Sequence, residues 1–355
     1  MCTRLATSAP RLGRFAALVM LVASGCNDGD FPSPETVEKD RVLAGRVFLS
    51  DDDPRVTPAP GETAHYQLLV GSPGVQATWT YLLAVCRFLR DENGAPYCDP
   101  TLPPLAQSGL EPSLATPPAQ LPELAFTVPS APELRDDESE LLVQGIVCPG
   151  GPIDDKLLAA LAAQDFAVLE AGRNPCADKS KNGVLIAAPI PIERSLEDRN
   201  HAPVIQTVTW SKAMDMDDVA LGEPWTSDAT TTDPSKGCAG KGFLELRSKE
   251  RLGFQFGLDA AARESYLDPS PIPGAPRVMR EEIPRVQGLS SAGKFEIRRD
   301  NQVRAEQVLQ LEWRLPDYVP PKEGLLVRFW FLATDDRDQE HQATSWQTRA
   351  LCAVP

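Results

Sequence analysis

The chain is predicted to be mainly β: two antiparallel β-sandwich domains with proline-rich loops and one short helical insertion in the first. Three observations predict it. Proline accounts for 34 of 355 residues, nearly twice the usual share of about 5%, and interior prolines break helices. Apolar residues recur at alternate positions in run after run, as at Trp79, Tyr81, Leu83 and Val85, which is the period of a half-buried strand. Proline and glycine separate those runs at modest spacing, the punctuation of a sandwich. The length suits about two domains. A hydrophobic content of 42% excludes a wholly disordered chain.

The first domain is placed at 41–192. Its opening strand covers 42–49. A second, 63–70, follows the turn signal Pro58-Ala59-Pro60-Gly61. The run 76–88 is a long strand, and Asn93-Gly94 after it marks a hairpin turn. Residues 99–122 carry seven prolines and read as a semi-rigid extended loop. Leu124, Phe126 and Val128 alternate again, and 141–148 is almost wholly apolar, as at the centre of a sandwich. Asp154 can cap a helix over 155–169, whose Leu157, Leu158 and Leu161 share one face. A strand at 184–192 closes the domain.

Residues 193–202 are charged and nearly free of large apolar side chains, so they read as a linker. The second domain, 203–355, opens with a strand through Ile205, Val208 and Trp210. The runs 243–247 and 252–256 flank a charged turn and are expected to pair as a hairpin. Residues 266–287 hold five prolines and read as loop. Strands follow at 295–299, 308–315, 325–334 and 345–353, the last two separated by the polar turn Asp335-Asp336-Arg337-Asp338.

The N-terminus carries the sharpest functional signal. Arg4, Arg11 and Arg14 form a basic region without acidic residues, followed by the apolar run 15–23. That run is too short to span a bilayer, which takes about 20 residues, and it fits the apolar core of a signal peptide. Ala23-Ser24-Gly25-Cys26 follows. These residues resemble the lipobox of bacterial lipoproteins, departing from it in Ala23, where leucine is commonest. The resemblance implies that residues 1–25 are a lipoprotein signal peptide and that Cys26 is cut free and lipidated. Residues 26–40 then form a flexible tether, and the protein is held to the bacterial envelope, at the outer membrane, by its N-terminal lipid. Lipobox, composition and sandwich domains together resemble myxobacterial-type envelope lipoproteins, a resemblance that carries no assigned activity.

With Cys2 in the signal segment and Cys26 lipidated, six cysteines remain. An even number in an exported chain reads as disulfides. The favoured pairs are Cys86–Cys98 across the Asn-Gly turn, Cys148–Cys176 stapling the helical insertion, and Cys238–Cys352 tying the early second domain to its last strand.

A formal charge of 35 − 50 = −15 argues against nucleic acid as a partner, since phosphate binding needs a basic surface. Gly-x-Ser-x-Gly and His-Glu-x-x-His are absent. Gly237-Cys238-Ala239-Gly240-Lys241-Gly242 lacks both the upstream glycine and the following hydroxyl of a phosphate loop, and reads as a disulfide-tethered loop. Asn200-His201-Ala202-Pro203-Val204-Ile205 resembles the start of cadherin-like and other immunoglobulin-like repeats, which implies immunoglobulin-like sandwiches here. Cadherin-like domains place calcium at their junctions. The acidic loops Asp215, Asp217, Asp218 and Asp335, Asp336, Asp338 are the calcium candidates on that ground, with Arg199 and Arg337 as opposing charges. Trp225, in the loop Gly222-Glu223-Pro224-Trp225, is the candidate for stacking on a sugar or peptide. The leading expectation is a non-enzymatic envelope protein that binds a protein partner. A calcium-dependent adhesion or glycan-binding module and a hydrolase with an unrecognised site are the alternatives.

Overall fold

The computed structural model describes residues 35–355 apart from 51–52, 75–77, 91–93, 95, 110–112, 115–120, 137, 163–173, 182, 197–198, 213–221, 228–233, 248–249, 260–263, 269–277, 297–308, 316–318, 336 and 338–343. The signal segment, Cys26 and the first part of the tether lie outside the described residues, as does the end of the expected helix.

In the first half the alternating runs become β1 (Arg41–Phe48), β2 (Thr63–Gly71), β3 (Thr78–Arg90), β4 (Pro96–Cys98), β5 (Ala106–Gln107), β6 (Ser113–Leu114), β7 (Leu124–Thr127), β8 (Glu140–Pro149), α1 (Asp155–Ala162) and β9 (Val184–Pro191). The second half holds β10 (Ile205–Lys212), β11 (Glu223–Pro224), β12 (Leu244–Arg247), β13 (Arg251–Leu258), β14 (Ser265–Asp268), β15 (Val278–Glu281), β16 (Arg285–Ser290), β17 (Lys294–Glu296), β18 (Leu309–Arg314), β19 (Leu325–Thr334) and β20 (Thr344–Val354). The chain is mainly β, of the sandwich class.

In each half two sheets enclose a core. Sheet β1-β2-β7 faces sheet β4-β3-β8-β9 across Tyr66, Leu68, Trp79, Tyr81, Phe126 and Val143, all buried. Sheet β11-β10-β13-β18-β17 faces sheet β12-β20-β19-β16 across an aromatic centre in which Phe254, Phe329, Phe331 and Trp313 pack edge to face. The pairing is antiparallel apart from β12, which runs parallel to β20. Trp313 donates its indole N–H to Ala292 O at 3.1 Å. The turn above it requires Gly293, with φ of 81°, because a Cβ there would lie 2.2 Å from the ring.

The inner sheets are apolar on both faces, and this joins the halves. Leu69 of β2 points away from the first core and packs with Leu289 of β16, Trp330 and Leu332 of β19 and Trp346 of β20. Four sheets therefore stack in sequence. Double burial explains why β19 reads as a nearly continuous apolar run rather than a clean alternation. Arg46 of β1 lies between the rings of Phe48 and Trp346, 4.7 and 4.4 Å from their centroids, and Arg328 of β19 donates to the carbonyls of Ser72 and Gly74.

The last residues of the expected tether are seated in this seam. Thr36 forms a parallel bridge with Ser290, Val37 N donates to Ser290 O at 2.7 Å, and the Val37 side chain is fully buried between the two halves.

The disulfides are Cys86–Cys98, Cys148–Cys176 and Cys238–Cys352. The second staples α1 over the outer face of the β3-β8-β9 sheet, where Leu157 packs with Ile146 and Ile153. Asp154 caps that helix through Lys156 N at 3.0 Å.

Two expectations are corrected. The runs at 243–247 and 252–256 do not form a hairpin: β12 pairs with β20, and β13 pairs with β10 and β18. Alternation marks a strand but does not name its partner, and here the charged turn carries the chain from one sheet to the facing one. Residues 266–287 are not all loop. β14 pairs with β15 as a separate ribbon, Ser265 opposite Glu281 and Asp268 opposite Val278, and β16 begins at Arg285. The prolines at 269, 271, 273 and 276 fall between the two ribbon strands, and Pro284 falls between β15 and β16.

Candidate functional site at the domain junction

Where the halves meet, residues 53–57 and 199–202 run side by side. Arg55 and His201 form an antiparallel bridge. Val56 N donates to Asn200 O and Ala202 N to Pro54 O, both at 2.9 Å, and Asn200 N donates to the Thr57 hydroxyl at 2.9 Å. The linker is thus pinned: Asn200 is only 2% exposed, although the local sequence reads as a solvated connector.

Its charges are paired across long sequence distances. Arg55 donates to Asp53 and Glu62 and reaches Glu193 at 3.4 Å. Arg199 grips Glu193 with two nitrogens, at 2.8 and 3.2 Å. Burial pushes the Asp53 carboxyl up, but the hydrogen bonds from Arg55 outweigh it and hold that carboxyl below its ordinary value. Glu193 is the buried member of this group, and both guanidiniums pair with it.

A second cluster continues from the first. Arg337, in the turn after β19, donates through Nη1 to the Arg199 carbonyl at 2.7 Å, through Nη2 to Glu264 at 3.1 Å, and through Nε to Glu282. Its guanidinium lies 4.9 Å from the Tyr266 ring centroid, within cation–π range. Glu264 and Glu282 are the two roots of the β14-β15 ribbon, joined by Glu282 N to Glu264 O at 2.8 Å. His201 meets Glu264 through both its ring Nδ1 and its backbone N–H. Asn200 Nδ2 donates to Asp335 at 2.9 Å. Burial, opposed by Arg337 and reinforced by the Asp335 charge, raises the Glu282 carboxyl to about 7. The Oδ1 of Asn200 and the Oε2 of Glu282 are buried without a hydrogen-bond partner.

The ribbon rooted here is solvent-exposed along β15. Val278 is 60% and Met279 59% exposed, and among the described residues no third strand lies on either edge.

Of the calcium candidates, Asp215, Asp217, Asp218, Asp336 and Asp338 lie outside the described residues. Asp335 is fully buried and engaged with Asn200. Among the described residues no group of three or more His, Cys, Asp and Glu is placed to hold a metal. Calcium takes six to eight oxygens, whereas here a guanidinium already binds Glu264, Glu282 and the linker carbonyl, so the described part of the junction does not fit the ion. Cys26 is likewise outside the described residues.

Trp225 is corrected. It is 3% exposed, stacked on Phe254 at 5.3 Å and edge-on to Phe329 at 5.4 Å, so it presents no face to a sugar. In the 237–242 loop, Lys241 turns back onto the carbonyls of Lys236 and Gly237, which closes the loop on itself.

Glu264 and Glu282 escaped the reading of the sequence. Their one signal is position, since they bracket the proline-rich stretch that the ribbon carries. No protein-family model matches the chain and no curated protein is similar to it, so the functional reading rests on this geometry.

Proposed function

We propose that the chain is a lipid-anchored protein of the bacterial cell envelope, held at the outer membrane through Cys26, with a non-enzymatic, protein-binding role. The observation that carries the binding role is the β14-β15 ribbon: Val278 and Met279 are exposed on a two-stranded element rooted in an ion-paired junction. Single exposed apolar residues are ordinary, but two adjacent ones on an open strand suit strand addition by a partner. The disulfides fit an oxidising compartment. Eight residues lie between Cys26 and Glu35, a connection that can reach at most about 30 Å.

The test is detergent extraction from native membranes with Val278→Asp/Met279→Asp beside wild type. Wild type is expected to bring down a stoichiometric protein partner, and the double variant to lose it with unchanged Tm. Cys26→Ala is expected to move the protein to the soluble fraction. A partner retained by the double variant, or wild type released as readily as Cys26→Ala, would overturn the corresponding half of the reading.

A further inference from the structure

Four segments converge on one guanidinium: the linker, through the Arg199 carbonyl; the two roots of the ribbon, through Glu264 and Glu282; and the turn after β19, which supplies Arg337 itself. Asp335, in the same turn, is bonded to Asn200 of the linker. A carbonyl from the linker and carboxylates from both ribbon roots thus meet at one fixed positive charge. We infer that Arg337 is the resident cation of this junction, holding linker, ribbon and β19 turn together in the position where the linker's resemblance to cadherin-like repeats implies calcium, so that the junction assembles without metal.

The chemistry favours this occupant. A guanidinium is charged at every working pH and offers five N–H donors in a rigid plane. Three of its nitrogens are used here by three different segments. Arg337 is 12% exposed, and the Glu282 carboxylate it binds is 1% exposed, so the attraction is little screened by salt. A calcium ion drawing on the same oxygens would meet a fixed positive charge at contact distance, which makes the two occupants mutually exclusive. Loss of the guanidinium leaves Glu264, Glu282 and Asp335 near one another without it. It also leaves the Asn200 Oδ1 and Glu282 Oε2 atoms, which have no partner now, available to a cation from solution.

The inference is independent of the lipid anchor and of the ribbon's partner. It is tested on the full chain in detergent by thermal melting with excess calcium chloride and with EGTA. Wild type is expected to melt at the same temperature in both. Arg337→Ala is expected to melt lower in EGTA by about 6 °C or more and to recover part of that loss with calcium; Arg337→Gln takes its place if the alanine variant does not fold. Arg337→Lys, which keeps the charge without the planar fork, is expected to lie between them and to ignore calcium. A calcium-dependent rise in wild-type Tm would overturn the inference. So would an Arg337→Ala or Arg337→Gln protein as stable as wild type, or one that calcium leaves unchanged.

Discussion

Glu282 shows how one buried carboxyl records the charge balance around it. Two carboxylates, Glu264 and Glu282, meet a single guanidinium, Glu264 also meets His201, and the charge of Asp335 acts on Glu282. Glu282, the most deeply placed at the ribbon root, is raised from 4.5 to about 7. The folded state therefore binds a proton there that the unfolded chain has released above about pH 4.5, and stability falls as pH rises through that window. Ionising the group in the fold costs about 3 kcal/mol. Glu282→Gln keeps the acceptor for Arg337 and removes the titration. Its Tm relative to wild type is expected to climb between pH 5 and 8 and level off above, as read by melting curves in matched buffers. A constant difference across that range would show that the carboxyl is not held protonated by its surroundings. Little of this was legible in the sequence. Arg337 was visible as a charge opposing calcium, but Glu264 and Glu282 lie 73 and 55 residues away from it, and no local pattern joins them. Trp225 was misjudged for a related reason: glycine and proline beside it signal a loop, and a loop residue is buried here because Phe254 and Phe329 come to it from other strands.

At the scale of elements, strands were legible wherever packing sets the pattern. The run 325–334 is the same segment in the structure, because a strand buried on both faces has no other way to read. Partners were not legible, and β12 beside β20 rather than β13 is the plain case. The ribbon was hidden because prolines exclude helix and interior strand, yet allow two short strands to pair on either side of them. The segment around Val37 was hidden by its polar neighbours. One valine and two backbone hydrogen bonds, Val37 N to Ser290 O and Ser290 N to Glu35 O, are enough to seat it. Val37→Asp places a carboxylate among Leu69, Leu289 and Trp330 and is expected to cost about 2–4 kcal/mol. Calorimetry should show the loss as a lower Tm and an earlier separation of the two halves. A variant as stable as wild type would mean that the segment contributes nothing to the seam.

At the scale of the whole molecule, the two halves share an apolar seam, with Val37 seated in it, and an ion-paired junction. The exposed ribbon is rooted in that junction through Glu264 and Glu282. The strands of each half were legible from their alternating runs, but the packing of both halves into one compact unit was not. The four-sheet stack was not, because it depends on second faces that a period-two reading assigns to solvent. The most direct measurement places a photo-crosslinking residue at position 278 in the full chain, irradiates intact cells, and resolves the adducts after membrane fractionation. The account predicts one discrete protein adduct in the outer-membrane fraction, lost when Cys26→Ala frees the chain. Adducts only with lipid or with many unrelated proteins, or a chain found in the soluble fraction without that substitution, would contradict it.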